Sequence, residues 1–367
     1  DSPVLRRVLA AKYIEVAKYT QALLTIKGGR KPEELGARDK RLLATIYMKV
    51  GQYMRAARVL SEVADKTPAE LRSLAMLYES AGDLDNALRY YRAFSAHRPD
   101  SLNAVLKIGG LLLRQERYEE AESVLVRLEE RFDRPPALLN LLGTVRLAGG
   151  DTAEALDFFR MALIEDSTFE EALRNTAQIH IQRRNYDEAI RHYEQLHQMQ
   201  PWGALYGKTL ALLYYYDERY EDAAALVRRL LESNIDDYEL HYYLALVAAA
   251  RDNTDLARLE LEKTLAIRGS FEEAWRRLCY LAIEEEDLDR ALRDARRFTE
   301  AMSDRGVSWR VLGYVRNARK EYDKAIDVLH KALKIDSTDA QAWFELGSSY
   351  ERLKQIEKAA RAFKQVL

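Results

Sequence analysis

The sequence predicts an all-α protein built as a solenoid of antiparallel helix pairs. Three features support this fold class: a recurring alanine, a second column of small residues, and apolar segments that lack the period-two alternation of strands. The alanine recurs eleven times, at Ala22, Ala56, Ala87, Ala121, Ala155, Ala189, Ala223, Ala257, Ala291, Ala325 and Ala359. Nine of the ten intervals are equal, and only that from Ala56 to Ala87 is shorter. A fixed period of this size, about 34 residues, indicates a repeat array.

The repeating unit is counted so that this alanine stands at position 20. Units then begin at residues 3, 37, 68, 102, 136, 170, 204, 238, 272, 306 and 340. On this count residues 1–367 form one solenoid, because length in such an array counts units and not domains. The composition, 48% hydrophobic and 32% charged, is typical of many amphipathic helices.

The first helix of each unit carries a column of small residues at position 8. They are Ala10, Ala44, Ala75, Gly109, Gly143, Ala177, Ala211, Ala245, Cys279, Gly313 and Gly347. Position 7 is aliphatic in ten of the eleven units. Two helices joined by a short turn pack about 8–10 Å apart. Small residues at positions 8 and 20 permit that approach, and a bulky side chain there would cost roughly 1–3 kcal/mol.

The turn and the second helix follow from the next columns. The turn contains Gly51, Gly82 or Gly149-Gly150 in some units and charged residues in others. Position 17 is tyrosine in six units, at Tyr19, Tyr53, Tyr118, Tyr186, Tyr220 and Tyr322. Large residues at positions 17, 24 and 27 are expected to fill the space around the small ones.

The junctions between units hold the prolines. All seven lie between position 30 of one unit and position 1 of the next, where neither helix is interrupted. Only the junction after the first unit looks irregular, with Gly28-Gly29 followed by Lys31-Pro32-Glu33-Glu34. A short second helix or a loop is expected there.

These columns resemble the tetratricopeptide repeat (TPR) family over essentially the whole chain. The matching residues in two units are Trp309, Leu312, Gly313, Tyr322, Ala325 and Ala332, then Trp343, Leu346, Gly347, Tyr350, Ala359 and Phe363. The resemblance implies about eleven repeats stacked into a right-handed superhelix whose concave face binds other proteins. It does not identify a partner, since this fold serves many functions.

The ends of the chain lead to two expectations. The last unit stops at Leu367 without a polar capping helix, and arrays normally need such a cap. We therefore expect a segment of a longer protein, with self-association through the uncapped end as a further expectation. No apolar run in the sequence approaches the length of a membrane span, which needs roughly 18 residues or more.

Motifs for catalysis are absent from the sequence. It has no glycine-rich phosphate loop, no His-Glu-x-x-His, no nucleophile elbow and no Cys/His pattern at metal spacing. His192 and His197 are expected to be a solvent-facing pair, and Cys279 a buried thiol of the small-residue column. The sequence therefore predicts no enzyme activity, no metal and no cofactor.

The candidate binding residues lie in the position-5 column. Seven of its eleven members are basic, namely Arg7, Arg41, Arg72, Arg174, Lys208, Arg276 and Arg310. The family resemblance places this position on the concave face, where arginine suits carboxylates or phosphates. Tyrosines gather at or near the same position, at Tyr242, Tyr243, Tyr280 and Tyr314. We single out as partner-binding Arg72, Arg174, Lys208, Arg276 and Arg310 with these four tyrosines.

An alternative is that the basic column pairs internally. Glu171 and Glu273 each lie three residues before a position-5 arginine, Arg174 and Arg276 respectively. The carboxylate clamp of chaperone adaptors also needs asparagine at position 9, and no basic unit has one. Recognition of a chaperone C-terminus is therefore not expected.

The leading functional prediction is a non-enzymatic scaffold or adaptor that holds a partner protein segment in its groove. The partner is a protein or peptide, and the basic column suits an acidic one. The net charge of +8 over residues 1–60 fits local variation on solvated helix faces, or a basic end that meets an acidic partner or an anionic membrane surface. Nucleic acid is not expected, because the isoelectric point is near 6.4. The alternative is a regulatory or targeting arm of a larger enzyme or membrane/export protein. The compartment stays open.

Overall fold

The computed structural model is all-helical, as the sequence predicts. It describes residues 2–129, 132–201 and 203–366, and no strand occurs among them, with 78% of the chain helical. Leu367, on which the expected uncapped end rests, lies outside the described residues. The chain divides into two compact units, the first ending at Ile179 and the second beginning at His180. None of the described helices is both long and apolar enough to cross a membrane.

The first helix of every repeat begins at the first residue of a unit as counted from the sequence. These helices are α1 (Pro3–Glu15), α3 (Ala37–Lys49), α5 (Pro68–Ser80), α7 (Leu102–Arg114), α9 (Pro136–Ala148), α11 (Glu170–Gln182), α13 (Ala204–Tyr216), α15 (Tyr238–Ala250), α17 (Glu272–Glu284), α19 (Gly306–Ala318) and α21 (Ala340–Arg352). Proline at the first helical position of three of them fits a residue without a backbone donor.

The second helix of every repeat begins at position 17. These helices are α2 (Tyr19–Lys27), α4 (Tyr53–Ser61), α6 (Leu84–His97), α8 (Tyr118–Glu129), α10 (Thr152–Glu165), α12 (Tyr186–Met199), α14 (Tyr220–Ser233), α16 (Thr254–Ile267), α18 (Leu288–Ala301), α20 (Tyr322–Ile335) and α22 (Ile356–Lys364). Apart from α11, which spans the division between the compact units, each first helix packs against its own second helix and against any second helix before it.

Two junctions are irregular, where the sequence indicated one. Helix α2 has nine residues and is followed by a 3₁₀ turn, Pro32–Glu34, so both expected irregularities occur there. Helix α4 also has only nine residues, which we did not anticipate. Other second helices before the last have 12 to 14 residues, so the shorter interval between Ala56 and Ala87 reflects a shortened α4.

The turn inside each repeat has the same backbone conformation throughout. The residue at position 15 has a positive φ in all eleven repeats, at Ala17, Gly51, Gly82, Glu116, Gly150, Arg184, Glu218, Asp252, Glu286, Lys320 and Lys354. Only three of these residues are glycine, although the left-handed region costs other residues roughly 1–2 kcal/mol. The tight reversal between the two helices therefore fixes this conformation even against the residue's own preference.

The two small-residue columns form the seam between the helices of each repeat. The alanines of position 20 are all buried, and Cys279 is fully buried with them. Where position 8 is glycine, a large residue at position 24 fills the space. A Cβ added to Gly143 would lie 2.6 Å from Phe159 Cε1, and one added to Gly313 would lie 2.5 Å from Leu329 Cγ. The predicted reason for the small residues is thus confirmed at these repeats.

A tryptophan column anchors the last three first helices. The indole N–H of Trp275, Trp309 and Trp343 donates to the carbonyl oxygen six residues earlier, at 2.8, 2.9 and 2.9 Å. His241 takes the same position in α15, and its Nε2 lies 2.9 Å from the Ile235 carbonyl oxygen. This bond fixes the turn that precedes each of these four helices.

Candidate partner-binding site

Four of the seven basic residues of the position-5 column bridge to the next repeat. We call them the clasped cations: Arg7, Arg41, Lys208 and Arg310. Arg7 Nη1 lies 3.1 Å from Asp39 Oδ1, and Arg310 Nε lies 2.8 Å from Asp339 Oδ2. Each of these contacts therefore joins neighbouring repeats of one compact unit.

In one clasp the cation meets two acids, and in another the acid belongs to the capping box of α5. Lys208 Nζ lies 2.6 Å from both Asp237 Oδ2 and Glu239 Oε2. Burial alone would lower the pKa of Lys208, but these two carboxylates outweigh it and raise the pKa. Arg41 binds Glu70, and this hydrogen bond lowers the pKa of Glu70 to about 2. Lys208 and Glu70 are therefore both charged at neutral pH, and each clasp is an ion pair.

The acid of each clasp sits where the next first helix begins. Asp237 and Asp339 precede α15 and α21, and each side chain also accepts a backbone N–H of that helix. Asp39 and Glu70 lie in the first turn of α3 and α5. Carboxylates are favourable at helix N-termini because of the helix dipole. One acid can thus cap its own helix and hold the preceding repeat.

The other three basic residues are not held in this way. We call them the open cations: Arg72, Arg174 and Arg276. Arg72 makes no ion pair within the described part of the chain. The nearest carboxylates to the other two, Glu170 for Arg174 and Glu272 for Arg276, lie 4.0 Å away, and the arginine side chains are 49% and 38% exposed.

These contacts correct the expected internal pairs. The sequence suggested the acids three residues earlier, Glu171 and Glu273, as mates of Arg174 and Arg276. In the structure the acids four residues earlier, Glu170 and Glu272, lie 4.0 Å from these arginines instead. Exposed pairs of this kind contribute only about 0.3–0.5 kcal/mol. The open cations thus retain most of their capacity to bind an anion.

The predicted tyrosines lie on the first helices of the second compact unit. The Tyr280 and Tyr314 rings meet edge to face, 5.7 Å apart, and Tyr314 is 36% exposed. Tyr242 packs against Phe271 at 5.0 Å and against Tyr243 at 6.4 Å. Burial raises the pKa of Tyr242, Tyr243 and Tyr314, so these phenols stay neutral.

The tyrosines divide between a clasped and an open cation. Tyr243 interacts electrostatically with Lys208 and its acids, and Tyr242 with Arg276. Tyr280 follows Arg276 by one helical turn and therefore lies on the same side of α17. Arg276, Tyr242, Tyr280 and Tyr314 thus lie on neighbouring first helices, and we call them the α17 patch.

Two further features lie outside the predicted site residues. Tyr186 and Tyr215 flank Tyr216, with ring centroids 5.6 and 5.5 Å from it, and Tyr216 is 52% exposed. In the first compact unit, a cleft of about 770 Å³ opens beside Arg72. The only signal for this cleft in the sequence is the lack of an acid at the start of the fourth repeat.

The histidines and the cysteine form no recognisable reactive site. No group of three metal-ligating side chains occurs among the described residues. The expected solvent-facing pair of His192 and His197 is wrong, since both are only partly exposed and the His192 ring lies against His180, 6.2 Å away. Burial raises the pKa of the Cys279 thiol, as expected of a packing residue.

Family models match in several places along the chain. Models described as "Tetratricopeptide repeat" match residues 41–94, 78–144, 170–201 and 208–273. A model described as "TPR repeat" matches residues 313–354. The "TPR repeat-containing protein YpiA" of Bacillus subtilis (strain 168) is 22% identical over 393 aligned positions, which cover 96% of this chain and 84% of that protein.

Three solved structures are among those similar to this chain. A tetratricopeptide repeat protein from Parabacteroides merdae is 18% identical, covers 68% of this chain and 98% of its own, and has a TM-score of 0.44. Cut9-Hcn1 of the APC/C hetero-tetramer is 14% identical over 95% of this chain and 83% of its own, with a TM-score of 0.41. MamA is 19% identical over 42% of this chain and 90% of its own, with a TM-score of 0.37.

Proposed function

Because this chain belongs to the tetratricopeptide repeat proteins, a family typical of protein–protein interaction scaffolds, we propose that it is a non-enzymatic scaffold whose first helices bind a segment of a partner protein. The partner lies along the first-helix face of the second compact unit, where the α17 patch anchors it. The fold is not generally catalytic, and the proposal needs no chemistry from the chain.

One observation carries this proposal: in the α17 patch an open cation lies among partly exposed tyrosines. The Arg276 side chain is 38% exposed, and among the described residues it forms an ion pair only with Glu272, at 4.0 Å. A guanidinium binds a carboxylate through two parallel hydrogen bonds. Tyrosines add apolar contact area at a low entropy cost. This combination is typical of residues that dominate binding energy at protein interfaces.

The nine predicted residues take different parts in this proposal. Arg276 and the four tyrosines contact or border the partner. Arg72 and Arg174 are open cations of the first compact unit and lie outside this patch. Lys208 and Arg310 keep the first helices aligned, because each already holds acids of the next repeat at 2.6–2.8 Å. A ligand carboxylate would have to displace those acids, so the clasped cations contribute little to binding.

A capture experiment tests the α17 patch. The tagged wild-type chain is compared with an Arg276→Glu/Tyr280→Ala variant by pull-down and mass spectrometry, after circular dichroism shows that both are folded. We expect the captured partner to be reduced about tenfold, because the charge at the centre of the patch is reversed. Quantitative mass spectrometry of the captured protein gives the ratio.

The matched control is Arg228→Glu on the second helix α14. Arg228 is exposed and has no ion pair within the described chain, so its reversal changes the net charge equally. Equal capture by wild type and control, with loss in the α17 variant, supports the proposal. The same set of partners from all three proteins would overturn it.

A further inference from the structure

The cleft beside Arg72, in the first compact unit, lies between α5, α6 and α7. Its volume is about 770 Å³, and it is lined by Arg72, Met76, Phe94, Lys107 and Arg114 among others. We call it the α5–α7 cleft. Arg72 also borders a smaller neighbouring cleft of about 330 Å³, together with Arg98 and Asp100. The two clefts therefore meet at an open cation.

The cleft exists where the clasp pattern breaks. In the two preceding repeats, Arg7 and Arg41 bind acids in the first turn of the next first helix, Asp39 and Glu70. The residue equivalent to these acids in the fourth repeat is Ala104. In the clasp of Lys208 the acids are Asp237, just before α15, and Glu239, its second residue. The equivalent residues of the fourth repeat are Ser101 and Asn103. No acid is present at these positions to neutralise Arg72, and the short side chains leave the space open.

The cleft carries an excess of unneutralised positive charge. Arg72 and Arg114 line the cleft, are exposed and make no ion pair within the described residues. Arg98 and Asp100 border the smaller cleft, where their charges are opposite. Lys107 Nζ lies 3.0 Å from Glu79 Oε1, so that acid is already paired. The other oxygen of Glu79 accepts a hydrogen bond from the Tyr91 hydroxyl at 2.9 Å. Glu79 is thus not available to Arg72 or Arg114.

The helix dipole and the apolar side chains restrict the kind of occupant further. Ser101, Asn103 and Ala104, at the start of α7, line the cleft, and the N-terminus of a 13-residue helix favours negative charge. Met76 is 54% exposed on the same surface, and Phe94 is partly exposed. The occupant should therefore present carboxylates together with an apolar side chain.

We propose that the α5–α7 cleft binds an extended acidic segment of a partner protein, with carboxylates toward Arg72 and Arg114 and an apolar side chain on Met76 and Phe94. This inference rests on the proposed scaffold function and adds the chemistry of one ligand segment. Arginine pairs with carboxylates by charge-assisted, bidentate hydrogen bonds. Methionine adapts its shape to varied apolar groups.

Fluorescence anisotropy on the full chain tests this site. The probe is a short fluorescein-labelled peptide in which glutamate and leucine alternate. We expect saturable binding to the wild type and binding about tenfold weaker to an Arg72→Gln/Arg114→Gln variant. Both arginines are exposed and unpaired, so the variant should melt at the wild-type temperature. A second variant, Met76→Ser, should weaken binding less.

Two further probes and one control variant separate the outcomes. A peptide with glutamine in place of glutamate should bind at least tenfold more weakly, and oligouridylate should not compete. Equal affinity for both peptides, equal affinity of the double variant, or tighter binding of oligouridylate would each overturn the acidic-peptide site. Arg228→Glu, an exposed change outside both proposed sites, should leave peptide affinity unchanged. If the acidic peptide fails these tests but the pull-down still loses its partner when Arg276 is replaced, only the α5–α7 cleft is rejected. If the pull-down does not depend on Arg276, the scaffold proposal itself is rejected.

Discussion

Replacing Arg258 by methionine is expected to destabilise the second compact unit by about 3 kcal/mol, because it leaves a buried carboxylate short of a partner. Asp294 on α18 is only 4% exposed. Its two oxygens lie 3.0 Å from Arg258 Nη1 and 3.2 Å from Arg297 Nη1. Arg258 also reaches Glu285 at 3.2 Å, so the variant breaks contacts to two acids.

The urea midpoint followed by circular dichroism measures this effect. Arg258→Met/Asp294→Leu should recover most of the lost stability, since no buried charge is then left unpaired. Arg228→Met, an exposed change, should leave the midpoint where it is. A single variant as stable as wild type, or a double variant no better than the single, would contradict the assigned role of Arg258.

The same variant has a defined pH dependence. Burial raises the pKa of Asp294 above its ordinary value, and Arg258 opposes that rise. Without Arg258 the pKa rises further, so the folded state binds a proton more tightly than the unfolded chain does. A carboxyl whose pKa is raised by folding adds stability as the pH falls. The deficit of Arg258→Met relative to wild type should therefore shrink on acidification.

Replacing Gly143 by valine should have the second large effect, a loss of about 2–3 kcal/mol through overpacking. A Cβ at Gly143 would lie 2.6 Å from Phe159 Cε1 and 3.1 Å from the Ala155 carbonyl oxygen. Phe159 and Ala155 are completely buried, so neither can move into solvent. The valine methyls would force α9 and α10 apart.

Thermal melting of the Gly143 variant checks this expectation. A Gly143→Val/Phe159→Ala variant should regain part of the melting temperature. The ninth repeat shows why, because it has a larger residue at the position of the glycine and a smaller one at the position of the phenylalanine. There the two positions hold Cys279 and Ala295, both fully buried. If the double variant melts no higher than Gly143→Val, the glycine is needed for another reason than close packing.

The fold could be predicted from the sequence because its determinants are local and repeated. The regular spacing of small residues fixes where helices can approach, and every first helix begins at the counted residue. The short α4 was missed because the shorter interval between Ala56 and Ala87 shows that residues are absent but not which element lacks them. The left-handed residue of each turn could not be predicted, because only three of the eleven residues at that position are glycine.

The site was harder to predict than the fold. The clasp partners of Arg7, Arg41, Lys208 and Arg310 lie about one repeat further along the chain. Pairing within a helix is the first expectation from sequence, because residues three or four apart are neighbours there. Which cations stay open depends on the next repeat, and the α5–α7 cleft depends further on side-chain size at Ser101 and Ala104.

The most direct test compares Arg310→Gln with Arg276→Gln, because the account assigns opposite roles to these arginines of the same column. Melting temperature and captured partner are measured on both variants. Loss of the clasp between Arg310 and Asp339, whose side chains are 12% and 15% exposed, should cost roughly 1.5 kcal/mol and leave capture unchanged. Arg276→Gln should melt like wild type and capture less partner. Reduced capture by Arg310→Gln at an unchanged melting temperature, with wild-type capture by Arg276→Gln, would contradict the division into clasped and open cations.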